Sequence, residues 1–284
     1  MNAVNVAQNL SRQVLPAWAK NQLRHLIAKA ASVMPEYRFS FPDASDDSLE
    51  SPFPFVVDRD NPLERLGERY LPSKRRHNYL IYYWMHFRDI RLEVKRVLEI
   101  GVQTDRSMRM WEEFFPNAII YGIDIDSKCK VFEGDRRKIL IGDQGDYDFL
   151  HQVTQQSEAF DIIIDDGSHH PRHQLKSFDC LFPRMSDHGI YVIEDTGGCV
   201  GDYGLRTVNS LKTIIDRIMY WPDGFDARNW PYLSHFPDEA SWIAKNAIGI
   251  AFYRWIVFVM RGRNPQDNPF LIATASANSN TSNR

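Results

Sequence analysis

The apolar positions of this 284-residue chain change their period along its length, and those changes mark its elements. From about Leu71 the pattern becomes regular. Residues 79–87 are aromatic-rich and predict a helix, and residues 96–101 (RVLEIG) are a short apolar run that ends in an acid and a glycine. Met108, Trp111, Phe114 and Phe115 follow at helical spacing. Residues 118–124 (AIIYGID) predict a second strand closed by an acid, and residues 138–141 a third, with a helix over residues 149–155. Ile162, Ile163 and Ile164 make a fourth strand and residues 190–193 a fifth, separated by a helix over residues 174–182. Strands and helices alternating in this way predict a parallel, doubly wound sheet. The β-rich runs 247–252 and 255–260 lie only two residues apart, which fits a hairpin. The expected fold is therefore α/β: a mostly parallel, seven-stranded, Rossmann-like sheet with an antiparallel hairpin at its C-terminal end.

The flanks differ from this core. Residues 1–70 read as an N-terminal helical extension with a connector, residues 71–264 as the Rossmann-like domain and residues 265–284 as a tail. Arg12, Lys20, Arg24 and Lys29 are not balanced by any acid before Glu36, and Leu23, Leu26, Ile27, Ala30 and Met34 recur at helical spacing. This basic amphipathic helix either packs on the domain or another subunit, or makes a peripheral contact with a membrane surface. Residues 40–62, rich in proline and acids, read as an irregular connector, and residues 273–284, nearly all Ala, Ser, Asn and Thr, as a frayed tail. A net charge of -3 argues against a general nucleic-acid-binding field. No run of about 18 uncharged apolar residues suggests a transmembrane segment. The three cysteines are odd in number and lack metal-like spacing, so a reducing compartment and a cytoplasmic protein are expected.

In sheets of this kind, ligands sit beyond the carboxyl ends of the strands. Asp165 and Asp166 follow one apolar run directly, and Glu194 and Asp195 follow another, so two neighbouring strand ends aim carboxylates into one crevice. Like charges so close call for a cation. Asp166, Glu194 and Asp195 are hard oxygen donors with nothing soft beside them, a set that suits magnesium, manganese or calcium better than zinc or copper. His169, three residues past Asp166, is placed to take a proton, since imidazole changes charge near neutrality. The plainer readings are that Asp165 and Asp166 cap the next helix, that Glu194 and Asp195 are loop acids, and that His170 and His173 are surface positions. On the other side, Glu99 and Gly101 close the first strand and Asp124 closes the second about 25 residues later, where an acid can accept ribose hydroxyls. Gly101 lets the backbone approach a ligand. The loop GVQTDRS (residues 101–107) holds a single glycine, and Arg106 either pairs with Asp105 or meets a ligand carboxylate.

Several segments together carry a family likeness: RVLEIGVQTDRSMRMW (96–111), NAIIYGIDID (117–126), FDIIIDDGSHH (160–170), GIYVIEDT (189–196), IGIAFYRWIVFVMRG (248–262) and the Lys, His and Tyr within residues 74–79. They resemble the metal-dependent sugar O-methyltransferases of macrolide biosynthesis, of the mycinamicin and macrocin type, with the related cephalosporin hydroxylase group, in the class I S-adenosylmethionine-dependent superfamily. The resemblance covers about residues 70–262 and departs at Asp105-Arg106, where relatives commonly carry Gly-Gly. It implies S-adenosylmethionine as cofactor: Glu99 and Gly101 near its methionine part, Asp124 at the ribose and Asp143 at the adenine, with Ser107 and Asp165 also on the cofactor side. It implies Mg2+ on Asp166, Glu194 and Asp195, and His169 as general base. The acceptor would be a sugar with vicinal hydroxyls, free or on a glycosylated small molecule. Residues 197–206 and 221–236 would line its pocket, with Trp221, Trp230 and Tyr232 either stacking on the sugar or packing in the core. Such relatives are often homo-oligomers joined through N-terminal segments, which favours packing for the first helix. Two alternatives remain: a hydroxylase-type enzyme of the same fold, and a protein that binds cofactor or partner without catalysis.

Overall fold

A computed structural model describes residues 61–197, 203–220 and 239–263. The expected basic helix, the connector as far as residue 60, the stretch 221–236 and the C-terminal tail lie outside the described residues. A helix, α1 (Pro62–Tyr70), precedes the point where the sequence pattern becomes regular. Its start is fixed by Asn61, whose side chain accepts from the Leu63 amide at 2.9 Å, and by Pro62 in the first turn. Leu63 and Leu66 on its inner face are buried in the core.

The chain continues through α2 (Ser73–Arg76), α3 (Leu80–Phe87), β1 (Arg96–Ile100), α4 (Arg106–Phe114) and β2 (Ile119–Asp124). A 3-10 turn, β3 (Arg137–Ile141), α5 (Tyr147–Gln156), β4 (Ile162–Asp165), α6 (Pro171–Leu181) and β5 (Ile190–Ile193) follow. Last come α7 (Tyr203–Tyr220), α8 (Glu239–Asn246), β6 (Ala247–Tyr253) and β7 (Ile256–Arg261). The strands form one seven-stranded sheet in the order β3-β2-β1-β4-β5-β7-β6. The first five are parallel to one another, while β7 runs antiparallel to both β5 and β6. The doubly wound sheet and its terminal hairpin are thus those expected. No helix among the described residues is long and apolar enough to cross a membrane.

Strand alternation divides the core in two. Val97, Ile162, Ile164, Ile190, Val192 and Phe258 face one cluster, shared with α1, α3 and α4. Leu98, Ile163, Tyr191, Ile193 and Val257 face the other, shared with α5, α6 and α7. The first cluster is built from aromatic rings: Trp111 lies edge-on to Tyr83, with ring centroids 4.9 Å apart, and to Phe87 at 6.2 Å. The order in which strands are added reverses between the parallel neighbours β1 and β4, and there the crevice opens beyond the strand ends.

Candidate active site

The same alternation decides where each acid goes. Glu99 shares a face with Val97 and so points into the α3–α4 layer, where it is fully buried. Its Oε2 accepts from Ser107 Oγ at 2.8 Å, its Oε1 accepts from Trp111 Nε1 at 3.3 Å, and Lys74 Nζ lies 3.1 Å away. Asp165 shares the opposite face with Ile163, also fully buried, and Gln144 Nε2 donates to both its oxygens at 3.0 and 3.1 Å. Burial pushes the Asp165 carboxyl up to about 6 against those donors. Both residues are fully buried and stand behind the residues that line the crevice. Each braces a loop that does line it.

The crevice is a cleft of about 470 Å³. Gly101, Arg106, Ser107, Asp124 and Asp143 line one part of it, and Asp166, His169 and Asp195 another. Asp124 Oδ2 accepts from the Val102 and Gln103 amides at 3.0 and 2.8 Å, and Oδ1 from the Asp126 amide at 2.8 Å. Partial burial raises its pKa, but these amides outweigh that and hold it below the usual carboxylate range. Asp143 Oδ1 accepts from the Gly145 amide at 2.7 Å. Arg106 is exposed and reaches the Leu71 carbonyl at 3.4 Å. Asp105 turns instead to Arg137 at 3.3 Å, so the expected alternative of an Asp105–Arg106 pair is not what forms. Arg106 itself lines the cleft.

Around the chemical end, Asp166, His169 and Asp195 each offer a donor atom, all within 4.8 Å of one another. His169 Nε2 lies 3.6 Å from Asp195 Oδ2. On the other oxygen of Asp195, Tyr79 donates its hydroxyl at 2.6 Å and His77 Nδ1 stands at 3.4 Å. Burial, then the bond to Asp195, keeps the Tyr79 phenol well above its ordinary value, so it remains a donor. Glu194 continues the Val192 face and turns inward to the Tyr83 hydroxyl and to Lys74, whose Nζ is 2.8 Å away. Burial first, and then the Asp166 charge, raise the Glu194 pKa. The same ammonium is 2.6 Å from Asp166 Oδ2. Of the three expected metal acids, then, Asp166 and Asp195 face the cleft with His169, while Glu194 is joined to Asp166 through Lys74. Two hard carboxylates opening onto a cleft fit a divalent cation of the magnesium type, with the His169 imidazole beside them.

The backbone around this cleft is unusual. Gly101, Gln103, His169 and Asp195 have φ of 93°, 47°, 55° and 53°. Left-handed residues other than glycine are costly and collect at functional sites. A Cβ on Gly101 would lie 2.2 Å from the Asp166 carbonyl oxygen, so the glycine is required where the β1 and β4 loops touch. The Glu194 end is tied by Gln174, which donates to the Glu194 carbonyl at 3.0 Å and accepts from Thr207 Oγ1 at 2.8 Å. His170 and His173 do more than occupy a surface. His170 caps α6 by accepting from the Arg172 amide at 3.3 Å, and half-buried His173 lines the cleft with its Nδ1 2.9 Å from Ser168 Oγ. Sequence reasoning on the residues alone missed Lys74, Tyr83 and Gln144. Their one signal was polarity beside apolar runs, and in Lys74 the likeness to a family motif. Residues 198–202 and 221–236, including Trp221, Trp230 and Tyr232, lie outside the described residues, so the acceptor side is not described.

No protein-family model matches the chain. It is 36% identical over 227 residues to mycinamicin VI 2''-O-methyltransferase of Micromonospora griseorubida, a match that covers 72% of this chain and 53% of the relative. To demethylmacrocin O-methyltransferase of Streptomyces fradiae it is 32% identical over 242 residues, covering 75% and 59%. Among solved structures, the MycE methyltransferase of the mycinamycin biosynthetic pathway, in complex with Mg, SAH and mycinamycin VI, aligns with a TM-score of 0.61 at 34% identity, over 72% of this chain and 56% of that one. The chain thus spans little more than half the length of these relatives. In sequence and in architecture it is similar to the sugar O-methyltransferases of macrolide biosynthesis, and its fold is the class I, Rossmann-like methyltransferase fold.

Proposed function

We propose that this chain is an S-adenosylmethionine-dependent, Mg2+-dependent O-methyltransferase acting on a hydroxyl of a sugar carried by a small molecule. One observation carries the reading: a single cleft at the β1–β4 reversal joins Gly101 and Asp124 at one end to Asp166, His169 and Asp195 at the other. The named activities of the similar proteins give it its substrate class.

When bound, the cofactor supplies an activated methyl group and the ion lowers the pKa of an acceptor hydroxyl. Asp124, its carboxylate fixed by three backbone amides, would accept hydrogen bonds from the ribose hydroxyls with its remaining lone pairs. Gly101, in the cleft lining, would lie beside the methionine part. Asp143, beyond β3, stands at the adenine end. Asp166 and Asp195 would hold the ion, with Glu194 as the third acid, sharing the Lys74 ammonium with Asp166. His169 takes the hydroxyl proton on its imidazole, steadied by the Asp195 carboxylate 3.6 Å away. Tyr79 and His77 hold that carboxylate from its other side. Much of the rate enhancement comes from alignment, since the methyl donor is already activated.

Cys129 and Cys180 are free, buried thiols, which supports a cytoplasmic setting. The deciding test is transfer of labelled methyl from S-adenosylmethionine to glycosides bearing vicinal hydroxyls, with magnesium and with chelator. Transfer that stops in chelator and in His169→Ala is expected. Full-rate transfer in chelator refutes the metal role, and no S-adenosylhomocysteine binding by calorimetry refutes the cofactor.

A further inference from the structure

Lys74 is the least expected residue of the site. It lies in the four-residue helix α2, and none of its side chain is exposed. Its ammonium is 2.6 Å from Asp166 Oδ2, 2.8 Å from Glu194 Oε1 and 3.1 Å from Glu99 Oε1. Removing a charge from water is unfavourable, and apolar side chains of similar volume commonly fill such a space at no loss of stability. An ion cluster kept here is therefore better explained by what it does to the acids than by what it adds to the fold.

We propose that Lys74 is the resident counter-cation of the acid site: a positioning residue that holds Asp166 and Glu194 in place and limits how tightly they take a divalent ion. This rests on the reading of these acids as a metal site. Two consequences follow from the distances. Without a metal, Asp166 and Glu194 do not repel each other apart, because one ammonium lies within 2.8 Å of both. With a metal, that same ammonium is a fixed positive charge beside its ligands, in an interior where salt screens little. Asp166 accepts from the lysine on Oδ2 and also lines the cleft. The bond network extends further, since Glu99 reaches Ser107 in the cofactor wall with its second oxygen at 2.8 Å. Lys74 thereby gives the site a geometry ready for an ion, together with an affinity modest enough for release.

The test uses the full chain stripped of metal, and Mn2+ as the probe, read by electron paramagnetic resonance of the free ion. Lys74→Met removes the charge and keeps the length of the side chain. Its Mn2+ dissociation constant is expected to fall about tenfold or more, because a nearby like charge is gone. Its melting temperature should fall in chelator and rise more than that of the parent when Mn2+ is added. The double change Lys74→Met with Glu99→Gln removes one charge of each sign. It is expected to fold even where the single change does not, and to bind Mn2+ within about threefold of the parent, since local net charge is restored. Unchanged or weaker Mn2+ binding in Lys74→Met overturns the proposal, as does a loss of about tenfold or more in the double variant. A parent chain that binds no Mn2+ defeats the metal reading itself, a result distinct from any of these.

Discussion

Replacing Gly101 by alanine tests the central geometric claim, that the β1 and β4 loops meet backbone to backbone beneath the cleft. The new Cβ would lie 2.2 Å from the Asp166 carbonyl oxygen, 2.7 Å from its carbonyl carbon and 2.8 Å from Gly167 Cα. None of these atoms belongs to a side chain that can swing aside. The loops must part by about 1 Å to restore ordinary contact, an overpacking that costs about 1–3 kcal/mol. Alanine at a φ of 93° adds about 1–3 kcal/mol of backbone strain. Against these stands about 0.4–1 kcal/mol gained by stiffening the unfolded chain. The net loss is about 2–4 kcal/mol, and at about 2–4 °C per kcal/mol for a domain of this size the melting temperature should fall by roughly 5–15 °C. Gly134 supplies the control. A Cβ there meets only the end of the Arg137 side chain, at 3.1 Å, which can move away. Differential scanning fluorimetry of both variants in chelator, with calorimetry of S-adenosylhomocysteine, reads the outcome. Gly101→Ala should melt early and bind the cofactor product poorly, while Gly134→Ala should match the parent. If Gly101→Ala melts within about 2 °C of the parent, the loops do not meet as described and the placement of Asp166 falls with them.

Two further outcomes are expected. Arg106 lines the cleft with a long 3.4 Å bond to the Leu71 carbonyl, which leaves guanidinium donors for a carboxylate; Arg106→Gln should weaken S-adenosylhomocysteine about tenfold, as losing a charge-assisted bond does, and leave 5′-methylthioadenosine, which has no carboxylate, unchanged. Equal loss for both ligands in calorimetry contradicts that role. His86 stacks on Phe258 at 4.2 Å and meets Tyr253 OH at 3.1 Å, and burial lowers its pKa. The unfolded chain then binds the proton more readily than the folded one, so this contribution is complete above the ordinary histidine value and is lost as pH falls through it. Melting temperatures between pH 7.5 and 5.5 should therefore decline less steeply in His86→Phe than in the parent; parallel curves would exclude His86 as a source of acid sensitivity.

The period of the apolar pattern was enough to read the seven strands, because buried parallel strands are continuous apolar runs and each here ends in a polar turn. It was also enough to place Asp166, Asp195, His169, Gly101 and Asp124 around one crevice, since all five follow strand ends. What it could not decide is the side to which an acid turns at the end of a strand. Glu99 is the penultimate residue of β1 and Asp165 the last of β4; one shares its face with Val97 and the other with Ile163, and neither lines the cleft. Reading the alternation one residue further would have shown this. Their donors are a different matter. Lys74 comes from a short helix 92 residues before Asp166, and Tyr83 from a helix 111 residues before Glu194. Gln144 comes from a loop 21 residues before Asp165. Little local marks such partners beyond the motif that holds Lys74, because the need they answer, a buried carboxylate without a donor, exists only once the sheet has formed. The acids of the site can thus be found from strand ends, while the residues that set their charge are found only from the fold. That is why the inference about Lys74 rests on the structure: a lysine next to Arg75 and Arg76 in the sequence looks like one more surface base until its ammonium is seen among three carboxylates.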